Sequence, residues 1–397
     1  MAESVIVAGA RTPMGRFLGA LKGYSATELG GIAISAALNN AGLRGEQVQH
    51  VIMGQAIQAG GGQITARQAA YGAGIPLTVP AVTINKVCLS GLSAIALADQ
   101  LIRAGEFDVV VAGGMESMTN APHLLPRVRA GVKYGDLAVV DALAHDGLTD
   151  PFDHVSMGAS TDHYAHRAEI AREDQERFAA QSHARAAHAE SAGLFAAEIV
   201  PIGPTLTHHR GPTVNADQGI RSETTAATLA TLPATFTPNG TITAGTSSQI
   251  SDGAAAVVVM RKSTAVTLGL PWIAEIGAHG NVAGPDNSLL HQPADAIIDA
   301  LRKADLGIAD LDLIEINEAF AAVALHSIDE LGVSEDIVNV NGGALALGHP
   351  LGMSGARLVL TLALELQRRG GGTGAAALCG GGGQGDAQLL HVPHPAD

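Results

Sequence analysis

Cys88 stands in the run Asn85-Lys86-Val87-Cys88-Leu89-Ser90-Gly91, where an extended stretch gives way to an apolar helix. A sulfur at such a junction faces unpaired backbone N–H groups and the positive end of the helix dipole, both of which favour the thiolate. That is the setting of a cysteine nucleophile; inert packing is the ordinary alternative for a free cysteine. The serine counterpart of this elbow is excluded, because the chain contains no G-x-S-x-G. Cys379 closes a second buried strand and runs straight into Gly380-Gly381-Gly382-Gly383-Gln384-Gly385. Glycines there let a ligand come close to the backbone and leave N–H groups as oxyanion donors. Gly380, Gly382 and Gly385 also satisfy G-x-G-x-x-G, but Asp386 to Val392 reads as a strand, not the helix that a dinucleotide loop requires.

Two further residues join them. His349, between Gly348 and Pro350, sits on a fixed backbone just before a helix that starts Ser354-Gly355. Asn317 ends the strand Leu313 to Asn317; its amide can cap the next helix or hold a water or an oxyanion. A metal is the competing use for His145, His154, His163, His166, His183, His188, His208 and His209. They lack both a H-E-x-x-H frame and a cysteine partner, so no metal site is assigned.

The elements that carry these groups occur twice. An extended run over 79–85 reaches Cys88, a helix over 90–104 follows, and the strand over 108–112 ends in Gly113-Gly114. Likewise an extended run over 337–341 reaches the histidine loop, a helix over 354–369 follows, and the strand over 375–379 ends in Gly380-Gly381. Both helices begin Ser-Gly and finish with arginine and glycine, as dipole and C-cap preferences favour. A helix and strand precede each unit, at 26–41 with 51–54 and at 294–304 with 313–317. The pattern predicts a duplicated α/β chain on mixed sheets of buried strands. Residues 1–118 with 244–268 form the first half and 269–397 the second; 119–243, rich in histidine and carrying a charged helix over 172–191, is an insertion.

Composition limits what such a chain can meet. Its 397 residues are 47% hydrophobic but 3% aromatic, and 23 Lys+Arg stand against 38 Asp+Glu, a formal charge of −15. A nucleic-acid or anionic-membrane footprint is therefore not expected. The mean hydropathy is +0.22, yet no window approaches the roughly 18 apolar residues of a membrane span. The N-terminus reads as a first strand without a basic leader, so a cytoplasmic location and two reduced cysteines are expected.

The runs around Cys88, Val110 to Met118, Asn317-Glu318-Ala319-Phe320, Asn341-Gly342-Gly343 with Gly348-His349-Pro350, and Cys379 to Gly382 resemble the thiolases from end to end. The resemblance implies a duplicated, five-layered α-β-α-β-α fold with a loop domain inserted in the first half. It implies Cys88 as the acylated nucleophile, His349 as its activator, Cys379 as the acid/base thiol and Asn317 as the holder of an oxyanion-hole water. The backbone N–H groups of Cys88 and Gly381 would form the other oxyanion hole. Arg221 would stack on adenine, Ser248 would bind pantetheine, and Leu148, Met157 and Phe320 would line the acyl pocket. The implied reaction joins two acetyl-CoA to acetoacetyl-CoA and CoA, with no cofactor beyond CoA as substrate, in a homotetramer of lipid metabolism. Arg127 to Asp136 and Asp146 to Asp150 are similar to the short-chain type. Ser156, Thr246-Ser247-Ser248-Gln249 and Leu289 to Pro293 depart from it, the second of these toward longer-chain 3-ketoacyl-CoA thiolases. A non-catalytic acyl-CoA-binding protein on this fold is the reading from another class.

Overall fold

The computed structural model describes residues 3–204 and 211–394. Nine strands build one mixed sheet: β1 (Ser4–Arg11), β2 (His50–Gly54), β3 (Ala81–Ile84), β4 (Val109–Ser117), β5 (Ser251–Arg261), β6 (Ala274–Ala283), β7 (Leu313–Ile316), β8 (Gly372–Gly380) and β9 (Gln384–Val392). Their order is β3-β2-β4-β5-β1-β6-β9-β8-β7, with the short strand Gly15–Arg16 added beside β5. The two halves meet where β1 pairs with β6, at Val5 with Glu275 and Ile6 with Ala274.

Outward from that seam the pairing repeats. β1 and β5 are antiparallel, as are β5 and β4, while β4, β2 and β3 run parallel. On the other side β6 and β9 are antiparallel, as are β9 and β8, while β8 and β7 run parallel. The counterpart of β3 is reduced to a parallel bridge between Ile314 and Val338, so the extended run expected over 337–341 is not a strand. Asn339 takes its place: its side chain accepts from the Ile316 N–H at 2.8 Å and donates to the Ile316 carbonyl at 2.8 Å. Its φ of +47° then turns the chain away.

Side-chain alternation converts this sheet into layers. Ile52, Val110, Val257 and Val259 face inward with Leu313, Ala376 and Leu378 onto α3 (Ser90–Arg103) and its repeat, the helix Ser354–Arg368. Val51, Met53, Val111 and Val258 face outward onto α1 (Ala26–Ala41) and α2 (Thr65–Gly72). Ile314, Ile316, Ala375 and Ala377 face outward onto the helices Gln292–Ala304 and Ala321–Leu331. Two outer helical layers, two sheet halves and a shared central helical layer make five.

The shared Ser-Gly starts now have a cause. A Cβ on Gly91 would lie 2.7 Å from the Gly352 carbonyl oxygen and 2.9 Å from the Ala356 nitrogen; one on Gly355 would lie 2.4 Å from the Leu92 nitrogen. The two central helices touch backbone to backbone at their N-termini, which brings the loops that precede them together. The intervening segment contributes α4 (Met157–Arg167) and α5 (Arg172–Ser191), after which the chain re-enters the sheet as β5. In chain order the three helices of the second half are α6 (Gln292–Ala304), α7 (Ala321–Leu331) and α8 (Ser354–Arg368).

Candidate active site

Cys88 lies between β3 and α3, on a sharp turn. Val87 before it has φ +50°, costly for a β-branched residue and held by its neighbours. Asn85 Oδ1 accepts from the Val87 N–H at 2.9 Å, and Ser90 Oγ accepts from the Lys86 N–H at 2.8 Å while donating to the Val87 carbonyl at 2.6 Å. The backbone N–H groups of Cys88 and Gly381 act on the sulfur to lower its pKa. Burial nevertheless prevails and pushes the thiol up to about 12, with Glu116 adding to the rise. The thiolate expected from the helix terminus alone is therefore corrected: the resting group is a thiol, because desolvation outweighs the dipole.

Cys379 is buried near the end of β8, and burial together with the neighbouring Cys88 raises its pKa further. It packs with Met157, Phe320, Leu289 and Leu290, while Cys88 packs beside Leu148 and Leu351. Leu148 and Met157 are tied by the Met157 N–H donating to the Leu148 carbonyl at 2.8 Å. Phe320 meets Phe236 edge to face at 5.9 Å. A Cβ on Gly381 would lie 3.8 Å from Val87 and 3.9 Å from Met157, in ordinary contact with both.

His349 and Asn317 are both buried and adjacent, Asn317 Nδ2 lying 3.3 Å from His349 Nε2. His349 Nδ1 lies 2.5 Å from Ser354 Oγ, whose proton is committed to the Pro350 carbonyl at 2.8 Å. Nδ1 must then carry the ring proton, which leaves the Nε2 lone pair facing the Asn317 amide N–H. Burial, with the Arg357 charge, lowers His349 to about 3, so the ring is neutral near pH 7. Asn317 caps nothing, since α7 begins only at Ala321. Its Oδ1 is buried with no hydrogen-bond partner among the described residues, an acceptor suited to a water or substrate donor.

Ser248 is half-buried beside this centre, its N–H donating to the Ala319 carbonyl at 3.0 Å. Arg221 is exposed, its backbone N–H held at 3.2 Å by Nδ1 of His183, whose pKa burial lowers to about 4. One residue missed in the sequence joins these parts. The Gln249 carbonyl accepts from the His349 N–H at 3.1 Å, and its Nε2 donates to the Gly219 carbonyl at 3.0 Å, two residues before Arg221. Gln249 was visible only as a departure from a family pattern. Glu116 was likewise missed: its carboxylate accepts from the N–H groups of Ala56, Ile57 and Gly352, locking the loop after β2 to the turn after His349. A cleft of about 1060 Å³ between α3 and β6 contains none of the candidate site residues. His208 and His209 lie outside the described residues.

A family model described as the thiolase N-terminal domain matches residues 4–263, and one described as the thiolase C-terminal domain matches 270–392. The chain belongs to the thiolase family. Among its relatives, a Mycobacterium tuberculosis protein named probable acetyl-CoA acetyltransferase is 59% identical over 392 residues, covering 99% of this chain and all of that protein. A Mycobacterium leprae protein of the same name is 58% identical over the same shares. An acetyl-CoA acetyltransferase of Chromobacterium violaceum is 46% identical over 393 residues, 98% of this chain and all of that protein. This thiolase thus carries two free cysteines, a neutral histidine and an asparagine whose Oδ1 lacks a hydrogen-bond partner among the described residues.

Proposed function

We propose that this thiolase is an acetyl-CoA C-acetyltransferase, joining two acetyl-CoA into acetoacetyl-CoA and CoA through an acetyl-cysteine. The observation that carries it is two neighbouring thiols, half-buried Cys88 and buried Cys379, in a chain that also holds a neutral, Nδ1-protonated His349. His349 Nε2 takes the Cys88 proton as the sulfur attacks the thioester carbonyl. CoA leaves with the Cys379 proton, and the Cys379 thiolate then removes an α-proton from the second acetyl-CoA. The resulting carbanion attacks acetyl-Cys88, whose sulfur leaves and recovers its proton from His349. Both thiols and the histidine end as they began, the α-proton of the second acetyl-CoA replacing the proton that the first CoA carried off, and no cofactor is needed beyond CoA as substrate. A high thiol pKa suits Cys379, because only a strong base removes a proton from carbon. The N–H groups of Cys88 and Gly381 would hold one oxyanion and Asn317, through a water, the other.

Arg221 is assigned to adenine, Ser248 to pantetheine, and Leu148, Met157 and Phe320 to the acyl wall. Residues 119–243 would form the inserted domain that brings most of these to the two halves. The edge-to-face Phe236–Phe320 pair and the names of the relatives support a short acyl group. Steady-state thiolysis of acetoacetyl-CoA against 3-ketoacyl-CoA substrates of increasing length tests the reading. The expected kcat/KM is highest for acetoacetyl-CoA; a maximum at a longer chain would assign the protein to the 3-ketoacyl-CoA type.

A further inference from the structure

Asp386 is fully buried in β9, one residue beyond Gly385, which pairs with Cys379 across the β8–β9 ladder. Its carboxylate receives Lys86 Nζ at 2.7 Å, Ser93 Oγ at 2.5 Å and Asn281 Nδ2 at 2.6 Å, with His279 Nε2 at 3.6 Å. Lys86 is two residues before Cys88, separated from it by the strained Val87. Asn85 and Ser90 hold that turn within its own half, Asn85 Nδ2 donating to the Ala56 carbonyl at 3.0 Å. Lys86 is different: it crosses to the other half and ends next to the strand partner of the second thiol.

We propose that the Lys86–Asp386 ion pair is a positioning device that sets the Cys88 turn against the strand hairpin carrying Cys379. It serves carbon–carbon bond formation more than acyl transfer, because the former demands the closer register of the two sulfurs. A CoA thiolate is a good leaving group and tolerates loose placement of the Cys379 proton it takes, whereas the α-carbon must lie between base and acyl group. The proposal rests on the roles assigned to the two cysteines above. Asp386 is wholly desolvated while the Lys86 side chain is 22% exposed, so losing the lysine leaves a buried carboxylate without its cation.

The test separates two rates: exchange of labelled CoA into acetyl-CoA, which reports acyl transfer, and condensation of acetyl-CoA. K86M and D386N are expected to lower condensation about tenfold or more while exchange stays within about threefold, as a small misplacement of reacting atoms would do. K86R keeps a cation on Asp386 and should restore most of the condensation. S93A removes a donor from the same carboxylate without touching the turn, and should leave the ratio of the two rates unchanged. Equal losses in both rates, no loss in K86M, failure of K86R to restore, or the same split in S93A would each overturn the proposal. Peptide mapping of the acetylated wild type keeps the two levels apart. Acetyl found away from Cys88 refutes the cysteine roles, whereas acetyl on Cys88 with an unchanged rate ratio refutes the ion pair alone.

Discussion

Burial governs the reactive residues, holding His349 neutral and both thiols protonated at rest. For the histidine this has a thermodynamic consequence with a definite sign. Its pKa of about 3 in the folded chain lies below the ordinary 6.5, so unfolding takes up a proton between those values. The stability due to the buried neutral ring is complete above about pH 6.5 and is lost as pH falls toward 3. Urea midpoints measured from pH 7 down to 4.5 should therefore fall less steeply in H349N than in the wild type; parallel slopes would show that the ring is not held neutral. Cys88, Asn317, His349 and Cys379 stood out in the sequence because each lies at a strand end, a strand-to-helix turn or beside glycine and proline, whereas Arg221, Ser248, Leu148, Met157 and Phe320 came only from the family resemblance. Gln249, Glu116 and Asp386 did not stand out. Their partners lie far off in the chain, and no spacing rule predicts that a carboxylate in β9 reaches a lysine 300 positions earlier.

The elements were legible wherever apolar periodicity and caps agreed, as in Ala26–Ala41, closed by a Ser25–Glu28 capping box and Gly42, while Arg172–Ser191, without a side-chain cap, stood out by its charge alone. The strand expected over 337–341 failed because Asn339 satisfies the Ile316 backbone with a side chain, an exchange that residue pattern does not reveal. The contact of α3 with α8 is the element-scale device that joins the cysteine and histidine loops. G91A should lose on the order of 1–3 kcal/mol in urea titration, since backbone atoms at 2.7 and 2.9 Å cannot swing aside, and acyl transfer should fall with it. G72A, where a Cβ would meet nothing within 4 Å, is the control and should keep wild-type rates. Equal stability and activity in G91A would show that the helix contact does not place the site.

At the scale of the whole molecule, a formal charge of −15 offers CoA no long-range attraction, so we propose that its recognition rests on local groups such as Arg221. Among the described residues no helix is long and apolar enough to cross a membrane. One segment does expose apolar surface: between the paired strands His123–Leu124 and Val140–Asp141 lie Leu125, Val128, Val132, Tyr134, Leu137 and Val139, with Tyr134 fully exposed. A surface of this kind suits a protein partner, and we propose that a homotetramer covers it. Light scattering at micromolar concentration should give a mass near four chains of 40.2 kDa; a mass near one chain would contradict this.

The central claim is the division of labour between the thiols, and acetylation mapping reads it directly. Wild type and C379A are incubated with acetyl-CoA, digested and analysed by mass spectrometry, with acetoacetyl-CoA formation followed in parallel. The predicted result is acetyl on the Cys88 peptide in both proteins and condensation in the wild type alone. Acetyl on Cys379 with Cys88 unmodified, or condensation by C379A at the wild-type rate, would contradict the account.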